Sequence, residues 1–155
     1  MISARRQARR NNFNTMKLNI QLLHSDAVMP SYANAGDAGM DLYTVSRVVI
    51  KPKQLVVVPT GIAMALPRGT VGLIWDKSGL AIKHGLKVMG GVIDSSYRGE
   101  VQVGIINLGT KAVILEAGHK VAQMLIQKVE HVSFKQVASL STTKRGAKGF
   151  GSSGK

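Results

Sequence analysis

Short runs of Val, Ile and Leu recur along this chain between Gly, Pro and Lys, and few stretches repeat apolar residues at helical spacing. Apolar runs bounded by turn residues predict β-strands. They fall at 17–23, 40–43, 47–50, 55–58, 62–65, 71–75, 87–88, 101–107, 112–115 and 120–129. Pro52, Pro59 and Pro67 lie at the predicted joints, where a missing N–H does no harm. One short helix is predicted over 78–84. Strands at intervals of roughly 8–12 residues predict an all-β fold, a jelly-roll-like barrel or sandwich. Three regions follow: a basic extension over 1–16, a β body over 17–139, and a polar, Gly-rich, flexible arm over 140–155.

A chain of 155 residues is long enough for one domain with a real core. The absence of Cys excludes disulfides, thiolate zinc sites and cysteine nucleophiles. His24, His84, His119 and His131 are scattered, so a histidine metal cage is not expected. No apolar run approaches the roughly 18 residues of a membrane span, and a soluble, cytoplasmic protein is expected. The net charge of +13 is concentrated at the ends. Residues 1–17 carry Arg5, Arg6, Arg9, Arg10 and Lys17, and residues 144–155 carry Lys144, Arg145, Lys148 and Lys155, with no acid in either stretch. The N-terminal bases read as a targeting peptide, as a nucleic-acid arm or as a solubilising extension.

Candidate chemistry centres on 90–100, where Gly90 and Gly91 precede an apolar pair, Asp94, a Ser-Ser turn, Tyr97 and Arg98. Glycines allow a flat ligand close to the backbone. One carboxylate at the end of an apolar strand, in a chain of only eight acids, is a candidate base. Asp37 reads as an Asx turn, whereas Asp41 sits within a strand and must be paired or face a polar site. Lys77, Ser78 and Gly79 open the predicted helix and read as an anion site or an ordinary N-cap. Gln123, alone in an apolar strand, is a satisfied core amide or a ligand contact. The tail from Gly149 to Gly154 spells G-x-G-x-x-G, but the strand and helix that a dinucleotide fingerprint needs are not predicted around it. Its Gly/Ser amides with Arg145 and Lys148 retain the capacity to wrap phosphate, and Phe150 needs something to stack on.

Taken in order, these segments resemble the five motifs of the trimeric dUTPase family. They are Ala38-Gly39-Met40-Asp41-Leu42, then Asp76-Lys77-Ser78-Gly79, then 91–99, then 118–123, and last 145–154. The third and fifth are the most specific. The resemblance implies a β jelly-roll homotrimer with shared active sites that hydrolyses dUTP to dUMP and pyrophosphate with Mg²⁺. By position, Asp94 would activate the attacking water and Tyr97 would pack on the deoxyribose. The backbone of Val88, Gly91, Val92 and Ile93 would read uracil. Lys77, Ser78, Gly79 and Gln123 would hold phosphates, and Asp41 would position the metal through water. From a neighbouring subunit, Arg145, Gly151, Ser152 and Ser153 would close over the phosphates while Phe150 stacks on the base.

Lys77 stands where the family commonly has Arg, Val88-Met89-Gly90 lacks the Asn of some members, and Lys148 replaces a usual Gly. A lysine is a point charge where arginine is a fork, so phosphate geometry is expected to be looser. Two other readings are a dCTP deaminase and a non-enzymatic nucleotide-sensing or nucleic-acid-binding protein. The first shares the architecture but needs a differently placed glutamate, for which Glu100, Glu116 and Glu130 are poor candidates. The second rests on the basic N-terminus alone.

Overall fold

The computed structural model describes residues 16–149. Its strands are β1 (Asn19–Leu22), β2 (Met40–Tyr43), β3 (Val48–Ile50), β4 (Leu55–Ala65), β5 (Thr70–Asp76), β6 (Leu86–Met89), β7 (Val92–Asp94), β8 (Glu100–Asn107), β9 (Val113–Leu115) and β10 (Lys120–Lys128), with helix α1 (Ser78–His84) between β5 and β6. One sheet runs β1-β4-β8-β6, a second β2-β10-β5-β7, and β3 pairs with β9. Every pairing is antiparallel. The sheets stay separate, so the jelly-roll expectation is met by a sandwich and not by a closed barrel.

Alternation decides which side chains enter the core. Along β8, Val101, Val103 and Ile105 are buried while Gln102 points out. Across the second sheet, Met40, Met124 and Ile74 form one buried row. Val58, Ile62 and Met64 of β4 meet them in a single apolar cluster. Each such side chain contributes roughly 1.5–3 kcal/mol on burial. Asn107, fully buried at the end of β8, is satisfied by donating to the carbonyls of Ile50 and Lys111 and accepting from the N–H of Gly109.

Two expectations are corrected. The runs at 55–58 and 62–65 are one strand, β4, and Pro59 lies within it. Pro59 forms the last regular pair with β8, opposite Gln102, immediately before the ladder shifts register towards Ala63. β7 was not expected as a strand; three residues are too few for a visible alternation, and β5 supplies their partners. The last strand ends at Lys128, and residues 129–149 carry no strand or helix.

Candidate active site

Asp41, Gln123 and Trp75 lie side by side across β2, β10 and β5, on the face opposite the Met40–Met124–Ile74 row. The Asp41 side chain is 3% exposed. Lys77 Nζ donates to its Oδ1 at 2.5 Å. Lys120 Nζ lies 2.7 Å from Oδ2, an ion pair without the alignment of a hydrogen bond. Burial alone pushes this carboxyl up, but the Lys120 and Lys77 ammonium groups outweigh it and hold it below the usual range. Gly39 makes room for the row, since a Cβ there would come within 2.6 Å of Gln123 Oε1. Gln123 Nε2 donates to the Asp76 carbonyl at 3.0 Å, satisfying the half-buried amide.

Asp76 ties the helix entry to β6. Its Oδ1 accepts the Val88 N–H at 2.6 Å and its Oδ2 the Lys87 ammonium at 2.8 Å. Burial raises this carboxyl too, and Lys87 with the Val88 amide again bring it below the ordinary value. Val88 itself is buried, so its side chain and its N–H are both engaged within the fold. Lys77 is the N-cap of α1, extended and without a side-chain capping bond, so Ser78 is not the cap. Ser78 and Gly79 are exposed, with open space around the Gly79 Cα. Asp37 closes a turn by accepting the N–H of Asn34, three residues back, at 2.8 Å, and not that of a residue two positions on as an Asx turn would.

The paired acids imply an acid-labile fold. A depressed carboxyl contributes stability above its unfolded value, near pH 4, and loses it as pH falls through the folded value. Urea unfolding should therefore show lower stability at pH 3 than at pH 6, and Asp41→Asn should flatten that dependence.

The second half of the site is β7 and the turn that leads from it, across to the other sheet, into β8. Gly91 has φ 98 and its carbonyl accepts the Ile74 N–H; a Cβ there would sit 2.7 Å from the Ile74 carbonyl, so only glycine fits. Val92 is 65% exposed and Ile93 packs on the core. Asp94 is exposed at the strand end, and the Tyr97 N–H donates to its carbonyl across the turn. Arg98 folds back onto the carbonyls of Ser95 and Tyr97, which rigidifies the turn. Val92, Ile93, Asp94, Tyr97, Glu100 and Gln102 line a cavity of about 180 Å³.

These halves are far apart in one chain. Asp94 pairs with Val71 at the start of β5, whereas Lys77 and Ser78 follow its other end. At ~3.3 Å per residue, that is roughly 20 Å. Arg145 is exposed, its Nε donating to the Lys148 carbonyl at 3.2 Å. Phe150, Gly151, Ser152 and Ser153 lie outside the described residues. Sequence reasoning missed Lys120 and Glu100; the only hint of Lys120 was that a buried acid needs partners.

Among the described residues no three His, Cys, Asp or Glu side chains gather to cage a metal. Asp41 Oδ2, buried and 2.7 Å from the Lys120 ammonium, makes no aligned hydrogen bond. That donor set fits a hydrated Mg²⁺ carried on phosphate oxygens, which keeps several waters and needs few protein ligands.

The dUTPase family model matches residues 25–154. A deoxyuridine 5'-triphosphate nucleotidohydrolase of Clostridium kluyveri is 43% identical over 141 residues, covering 90% of this chain and 99% of that protein. The Staphylococcus bacteriophage 80alpha dUTPase with dUpNHpp superposes with a TM-score of 0.85 at 31% identity, covering 90% of this chain and 99% of that one. A mutant dUTPase from phage phi11 of S. aureus, in which a structural Mg(II) ion is coordinated, superposes with a TM-score of 0.76 at 27% identity, covering 80% and 98%. No helix among the described residues is long and apolar enough to cross a membrane.

Proposed function

This chain belongs to the dUTPase family, and from that premise we propose how its residues divide the work. It is a hydrolase that converts dUTP to dUMP and pyrophosphate. Asp94 is the general base: it takes a proton from the water that attacks the α-phosphorus. Tyr97 forms the floor under the deoxyribose and leaves no room for a 2′-hydroxyl. Uracil is read by the backbone from Gly91 to Ile93, the Val88 N–H being already given to Asp76. Donors matched to uracil reject cytosine, because the exchanged groups would be left unpaired. Lys77, the Ser78 hydroxyl, the Gly79 amide and the free N–H of Gln123 hold the phosphates.

Triphosphate hydrolysis needs positioning and charge neutralisation more than covalent chemistry. Mg²⁺, when bound, supplies neutralisation on the phosphate oxygens, with Asp41 the residue that faces its hydration shell. Arg145, Phe150, Gly151, Ser152 and Ser153 act on the site of another copy, closing it against water. The assembly is a homotrimer. The observation that carries this reading is the division of the site along β5: Asp94 and Tyr97 lie at one end, the phosphate-holding group at the other. Only a second copy brings them onto one nucleotide.

Purified protein with Mg²⁺ should release pyrophosphate from dUTP far faster than from dTTP, dCTP or UTP. Ammonia in place of pyrophosphate, with dCTP the preferred substrate, would identify a deaminase and overturn the reading.

A further inference from the structure

The β4–β8 ladder is regular from Leu55↔Ile106 to Pro59↔Gln102, then jumps to Ala63↔Glu100. Within the bulge, side chains take over from the ladder. Glu100 Oε1 accepts the Gly61 N–H at 2.7 Å, and the Thr60 hydroxyl donates to the Val101 carbonyl. Gly61 has φ 67, and a Cβ there would crowd Ala27, Val45 and His24 at 3.0–3.3 Å, so the bulge is built around a glycine. Glu100 Oε2 accepts from Gln102 Nε2 at 3.1 Å. The main-chain carbonyl of the same Glu100 accepts the Tyr97 hydroxyl at 2.9 Å. The ring lies over Gly99, where a Cβ would come within 2.5 Å of the phenol oxygen.

We propose that Glu100 is a positioning residue for substrate selection: by anchoring the first residue of β8 to the β4 bulge, it fixes the carbonyl that holds Tyr97 in place. This rests on the reading of Tyr97 as the floor under the sugar. A floor that excludes one hydroxyl must be held to a fraction of an ångström, because a small displacement admits the extra atom. What matters is the reach of the Glu100 side chain to Gly61 and not its charge.

Two variants of the full-length protein separate reach from charge. Glu100→Gln keeps an acceptor oxygen at the same distance, and Glu100→Asp keeps the charge but stops one carbon short. Relative kcat/KM for UTP against dUTP is measured with Mg²⁺, beside Tyr97→Ala and thermal unfolding of each variant. The expected result is that Glu100→Asp raises the UTP:dUTP ratio by about tenfold, Tyr97→Ala by at least as much, and Glu100→Gln little. A purely structural role would lower Tm and leave the ratio unmoved. A wild-type ratio in Glu100→Asp, or an equal rise in both Glu100 variants, overturns the proposal while leaving the dUTPase reading intact. An unchanged ratio in Tyr97→Ala overturns the assignment of Tyr97 and this inference with it.

Discussion

Asp94→Asn is expected to slow dUTP turnover by roughly 10²–10⁴-fold, the range that a general base contributes, with nucleotide affinity nearly unchanged. The substitution is close to isosteric and preserves hydrogen bonding, but an amide does not accept the proton from water. Asp94 is exposed at the end of β7 and has no salt-bridge partner among the described residues, so the change should cost little stability. The fall should therefore appear in kcat and not in the affinity for a non-hydrolysable dUTP analogue, measured by calorimetry. Turnover at the wild-type rate would mean that another group activates the water.

Removing residues 144–155 should leave a folded body, because no strand or helix lies beyond Lys128 among the described residues. Turnover should nevertheless fall by at least about 10²-fold, the cost of an imperfectly aligned and unclosed site. The two defects should then complement each other. A truncated subunit retains Asp94, and an Asp94→Asn subunit retains the arm. In an equal mixture unfolded and reassembled together, a site that takes its base and its arm from different copies is intact in about a quarter of cases. Recovery near that level, with each variant inactive alone, is the expected result. No recovery would mean that each chain builds its own site.

Most of the elements were legible in the sequence because their signals are local. Met40–Tyr43 and Ser78–His84 were readable from residue spacing and flanking turn residues. β4 was read as two strands because Pro59 and Gly61 look like a break when taken alone. The bulge that absorbs them exists only beside β8. The candidate base and sugar platform were legible because Asp94 and Tyr97 lie within one short segment and share one cavity. Lys120 and Glu100 were not, because their partners, Asp41 and Gly61, are brought to them by strand pairing across long stretches of chain.

By itself, the sequence determined the candidate chemistry: one carboxylate close to an aromatic ring, a Lys-Ser-Gly candidate phosphate loop, a lone strand amide, and an all-β body to carry them. Those follow from residue type and short-range pattern. The tertiary structure alone decided where the groups stand. Strand register placed both lysines on Asp41, gave the Val88 N–H to Asp76, and set Asp94 and the Lys77–Ser78 segment roughly 20 Å apart along β5. Register is chosen by which faces can be buried together, and local preference carries no information about that choice.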